Sequence, residues 1–131
     1  MRVAVDTNVL VRAVVRDDSD QARAAVQVLT EAELIAVAMP CLCEFVWILR
    51  RVYGFDTNEV ARAIRALLAV NNVEVNRPAA EAGLSLLETG GDFADGVIAY
   101  EGRWLGGETF VSFDRAAVSL LTARGESARL L

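Results

Sequence analysis

Five acidic residues in this sequence stand where a carboxylate is either well placed for chemistry or out of keeping with its neighbours: Asp6, Glu44, Asp92, Asp95 and Asp114. Asp6 follows the β-branched run at residues 3–5, and Asp114 follows the run at residues 109–113, so each ends a predicted strand. In a parallel α/β sheet, ligand sites gather at the carboxyl ends of strands beside helix N-termini. Aspartate is equally at home there as a helix N-cap, so either residue alone is ambiguous. Glu44 lies inside the apolar stretch 41–49, where an ionised carboxylate is costly unless paired or bound to a metal. An ion pair with Arg50 or Arg51, or an exposed place in a first helical turn, accounts for it equally well. Asp92 and Asp95 are three apart across a predicted helix start, so one can cap while the other projects from the first turn.

If these carboxylates converge, they repel one another and are driven toward protonation unless a divalent cation neutralises them. Oxygen-only ligation suits magnesium or manganese, and such sites keep waters and accept phosphate oxygens. The matching chemistry is phosphodiester hydrolysis, in which the metal activates water for in-line attack and stabilises the charge that develops.

The missing residues narrow the field further. With no histidine, the chain lacks Ser-His-Asp and Cys-His nucleophile chemistry, histidine acid-base catalysis and histidine-ligated zinc. With no lysine, it has neither the phosphate-binding GK[ST] loop nor Schiff-base catalysis. Cys41 and Cys43 are too close for an ordinary disulfide and too few for a metal site, and read as small buried apolar residues. The net charge of −5 argues against a general nucleic-acid coat. A clustered metal site accounts for part of that charge. All thirteen positive residues are arginine, which suits bidentate phosphate contact and equally fits a bias in genomic base composition. The opening residues lack a signal-peptide core, and the longest apolar run is too short to span a bilayer. The expectation is a cytoplasmic protein without a membrane segment.

The elements that must position these residues alternate along the chain. After the strand at 3–5, Asp6-Thr7-Asn8 caps a helix, and a second helix from about residue 19 carries Ala22, Ala25, Val26 and Leu29 on one face. A strand follows near 34–37. Pro40 opens a third helix, whose unbroken apolar run at 45–49 implies burial on more than one face. Asp56 and Glu59 cap a fourth helix with Val60, Ile64 and Leu67 at helical spacing, and Val73-Glu74-Val75 alternates like a strand. Pro78 starts a fifth helix reaching about residue 88. Gly90-Gly91 breaks the chain, helix resumes over 94–104, a strand covers 109–113, a last helix covers 115–123, and residues 127–130 suit an edge strand. At 131 residues with 54% hydrophobic composition and no repeat or linker, one domain over 1–131 with an α/β fold and a mainly parallel sheet is expected.

Taken in order, Val5-Asp6-Thr7-Asn8-Val9-Leu10, Pro40 with Glu44, Asp92-Phe93-Ala94-Asp95 before Val97-Ile98-Ala99, and Ser112-Phe113-Asp114-Arg115 resemble the PIN-domain family, and within it the VapC-type toxins. The resemblance spans nearly the whole chain and rests on the ordered set, since no single motif is specific. It implies a three-layer α/β/α domain around a four- or five-stranded, mainly parallel sheet. It also implies that Asp6, Glu44, Asp95 and Asp114 form an acidic quartet holding magnesium or manganese, with Asp92 auxiliary. Thr7, Asn8 and Ser112 would orient the carboxylates, though as strand-end residues they serve equally as caps. A homodimer and a cognate antitoxin that blocks the acidic pocket are further implications.

The resulting expectation is an endoribonuclease acting on single-stranded or loop RNA, with Arg12, Arg16, Arg50 and Arg51 as candidate phosphate contacts. The apolar face of Phe45, Val46, Trp47 and Leu49, with Tyr53 and Phe55, is a candidate partner groove, with core packing the plainer account. A catalytically silent PIN-like module that binds RNA or protein is the alternative, and losing one of the quartet would favour it. A haloacid-dehalogenase-like phosphatase also begins with an aspartate after its first strand. Asn8 replaces the second aspartate that family uses, and its lysine is absent.

Overall fold

The computed structural model describes all 131 residues. Strands and helices alternate as β1 (Arg2–Ala4), α1 (Thr7–Val15), α2 (Ser19–Glu31), β2 (Leu34–Ala36), α3 (Met39–Arg51), α4 (Thr57–Leu68), β3 (Val73–Glu74), α5 (Arg77–Glu88), α6 (Phe93–Trp104), β4 (Phe110–Ser112), α7 (Arg115–Ala123) and β5 (Ala128–Leu130). This is the α/β class expected. All five strands pair in parallel, as a three-stranded ladder β1-β2-β3 and a two-stranded ladder β4-β5. The chain gathers into two compact units, Met1–Asn76 and Arg77–Leu131, with no change in composition at the junction. No helix is long and apolar enough to cross a membrane.

In the first unit, parallel pairing of such short strands requires helical crossovers, which α1–α2 and α3–α4 supply. Ile35, fully buried, sits at the centre of the ladder opposite Val3 and Val73. α3 buries Leu42, Phe45, Val46 and Leu49, a single stripe at the helical period, and turns Trp47 outward with 58% of its surface exposed. The expectation that this helix buries more than one face is thereby corrected, and so is the partner groove drawn on Phe45, Val46 and Leu49, which belong to the core. α4 begins with the predicted capping box: Glu59 N donates to Asp56 Oδ1 at 2.8 Å, and Asp56 N donates to Glu59 Oε1 at 3.1 Å.

In the second unit, α5 and α6 pack closely because two helical glycines leave the room. A Cβ on Gly96 would stand 2.6 Å from the Ala82 carbonyl oxygen, and one on Gly83 would stand 2.6 Å from the buried Phe93 ring. Leu86, Ala99 and Leu121 form a smaller cluster under Phe110 and Leu120, which ties α6 and α7 to β4. The predicted edge strand is present, with Ser112 paired to Leu130.

Candidate active site

Each unit presents its own acidic residues. Asp6, two residues past β1, is the N-cap of α1, and its Oδ1 accepts the Thr7 backbone N–H at 2.7 Å. Glu44 lies on the exposed side of α3, so the burial cost suggested by its sequence neighbours does not arise. These two residues meet at Cys41, which is half-buried and unpaired with another cysteine. Burial pushes the Cys41 thiol up, a hydrogen bond with the Thr7 side chain draws it down, and the charges of Asp6 and Glu44 push it up further. Thr7 is the one buried polar residue, and this contact uses its hydroxyl. Cys41 was expected to be buried packing. Its place three residues before Glu44 on one helix was the signal that would have set it on the acidic face. Asn8 is exposed at the start of α1.

In the second unit, Asp92 caps α6 through its Oδ1, which accepts the Ala94 N–H at 3.2 Å, while Asp95 projects from the first turn. The division of labour between these residues is the one their spacing suggested. Asp114 follows β4 and caps α7, accepting the Ala117 N–H at 3.1 Å, and its own N–H donates to Ser112 Oγ at 2.9 Å. Burial raises the pKa of Asp95 above the usual carboxylate value, with the charges of Asp92 and then Asp114 adding to it. Three carboxylates from a helix N-terminus and a strand end are thus close enough to feel one another.

Nowhere do three acidic or cysteine side chains stand close enough to form a complete metal cage. Magnesium does not need one, since it keeps several waters and takes one or two carboxylates plus substrate oxygens. The carboxylate oxygens of Asp6, Glu44, Asp92, Asp95 and Asp114 suit magnesium or manganese. The arginines divide. Arg12 is held by Asp17 at 2.6 Å, by Gln21 and by Tyr53, a network joining α1, the turn before α2 and the end of α3. Arg16 donates to the Ala13 carbonyl and Arg50 to Thr57 Oγ1, and both are exposed, as is Arg51. An open apolar cleft of about 820 Å³ lies among α1, α2 and α4, lined by Leu10, Val14, Val26, Leu29 and Leu67 with no acidic residue.

The raised pKa of Asp95 has a testable sign. A carboxyl whose pKa is higher in the folded state adds stability below its unfolded pKa and loses that contribution as pH rises through the folded value. Metal-free Asp95→Asn should therefore melt higher than wild type at neutral pH, and the difference should vanish as pH falls toward the ordinary carboxyl value of 3.8. Thermal melts in EDTA across that range check this. An equal or lower melting point for the variant at neutral pH contradicts it.

A family model described as PIN domain matches residues 3–119. No curated protein gives a match.

Proposed function

Since the chain belongs to the PIN-domain family, whose members are generally nucleases, we propose that it is a magnesium- or manganese-dependent endoribonuclease, the toxin of a type II toxin–antitoxin pair of the VapC kind. Both units belong to a single PIN-like domain in this reading, because the family match runs through their junction. Asp6, Glu44, Asp95 and Asp114 hold the metal, and Asp92 assists. The observation that carries the reading is Asp95, a half-buried carboxylate pressed by the charges of Asp92 and Asp114. A divalent cation relieves such an arrangement.

When bound, the metal neutralises charge on the scissile phosphodiester and makes water a competent nucleophile near neutral pH. The chain supplies the aim. The Thr7 N–H holds one oxygen of Asp6 and the Ala117 N–H one oxygen of Asp114, which restrains each carboxylate. Ser112 Oγ pins the Asp114 backbone, and buried Thr7 braces the Asp6 side of α1 against α3 through Cys41. Arg16, Arg50 and Arg51 are exposed and serve as phosphate contacts. Using Arg12 would require breaking its bond to Asp17.

The antitoxin belongs to the proposal, and the apolar cleft of the first unit supports it as the docking face. A homodimer belongs to it too, supported by the exposed Trp104 and Leu105 at the end of α6. The expected location is the cytoplasm. The test is incubation of the purified protein with labelled total RNA in magnesium, in manganese and in EDTA. Cuts at a few defined positions with either metal and none in EDTA support the reading. No cleavage by folded, antitoxin-free protein in either metal favours the silent RNA- or protein-binding module.

A further inference from the structure

The ring of Phe113 is 82% exposed although it stands directly between Ser112 and Asp114. Phe110 and Ser112 point toward the unit's interior, while Val111 and Phe113 alternate to the outside, as the period of a strand requires. The backbone carrying the ring is held on both sides. Ser112 is paired with Leu130 in the ladder, and Asp114 is tied back to Ser112 Oγ and forward to Ala117. The ring therefore projects from a fixed mount, one residue from a proposed metal ligand, with the exposed Arg115 on the other side of that ligand. A rigid exposed aromatic of this kind is what single-stranded nucleic-acid sites use, because every base has a face that stacks and stacking is sequence-tolerant. Paired bases cannot offer that face.

We infer that Phe113 is the stacking platform for an unpaired nucleobase beside the scissile phosphate. The inference rests on the nuclease reading above and adds a substrate-binding residue to it. An aromatic ring there sets the position of the nucleotide by its face, and the exposed Arg115, two residues on, is a cation for that nucleotide's phosphate.

The test has two arms, so that the two readings can fail separately. In EDTA, where nothing is cut, a single-stranded oligouridylate with one internal 2-aminopurine is titrated with wild type, Phe113→Ala and Phe113→Trp. Wild type and Phe113→Trp should quench the probe, Phe113→Ala should bind it roughly ten- to a hundredfold more weakly, the range that stacking one base covers, and annealing the probe to its complement should remove the difference. In magnesium, Phe113→Ala should raise KM for a cut single strand by a similar factor, with kcat changed far less, and Phe113→Trp should restore it. Equal quenching by wild type and Phe113→Ala overturns the inference, as does a Trp variant that behaves like alanine. Sedimentation of the same proteins closes the remaining route: a dimer that Phe113→Ala converts to monomer means the ring covers a second copy of the chain, and the inference fails. Binding that follows the predicted order in a protein that cuts nothing keeps the platform and rejects the nuclease.

Discussion

Asp95→Asn should abolish RNA cleavage, Asp6→Asn should do the same, and both proteins should keep the wild-type fold. The substitutions are nearly isosteric, so they remove charge without opening a cavity. Asparagine is as good an N-cap as aspartate, so Asn at position 6 still receives the Thr7 N–H and α1 still starts there. At position 95 the substitution removes a carboxylate crowded by Asp92 and Asp114, which relieves the fold. What each would lose is a negative charge from the proposed metal site. A cation that stabilises several kcal/mol of transition-state charge accounts for a rate factor on the order of a thousand, at about 1.4 kcal/mol for each tenfold. Single-turnover cleavage should therefore fall by about that factor, with unchanged circular dichroism. Full activity in either variant removes that residue from the site.

Gly96→Ala should destabilise the protein although alanine is the better helix former. Gly96 lies in α6 one residue after Asp95, and an added Cβ would sit 2.6 Å from the Ala82 carbonyl oxygen and 2.9 Å from Gly83 Cα. Both are backbone atoms of α5, so no rotamer change relieves the clash and the helices must separate. Overpacking of this kind costs about 1–3 kcal/mol after relaxation. That exceeds the gain of about 1 kcal/mol in helix propensity, and the melting point should drop by several degrees. Because α6 carries Asp95, its displacement should also lower cleavage. Gly102→Ala is the matched control: it lies in the same helix with nothing within 4 Å of an added Cβ. It should gain up to about 1 kcal/mol. If both variants are equally stable, close packing does not set the position of α6.

The features readable in the sequence were those decided within a few residues. Asp6, Asp56, Asp92 and Asp114 were legible as helix starts because a cap bonds to a backbone N–H no more than three residues on. The division of Asp92 and Asp95 into cap and projecting acid followed from the same short range. The helical period also held the orientation of α3. Leu42, Phe45, Val46 and Leu49 form its buried stripe, and Glu44 and Trp47 lie off it. Reading residues 45–49 as one apolar block obscured that. The role of Gly83 and Gly96 was not legible, because a glycine inside a helix carries no local mark of the helix that presses on it. Nor was the Cys41–Thr7 contact, which joins residues far apart in the chain. The division into two units was not legible because Pro78, beside the Asn76–Arg77 junction, reads as an ordinary helix start.

Asp6 and Asp114 are each proposed to help hold a divalent cation. Calorimetric titration of manganese into wild type, Asp6→Asn from the first unit and Asp114→Asn from the second tests this without reference to any RNA. Wild type should bind, and each variant should bind roughly tenfold or more weakly, as expected when a charged ligand is lost from a metal site. If either variant keeps the affinity and stoichiometry of wild type, that residue is not a ligand and the proposed quartet is wrong.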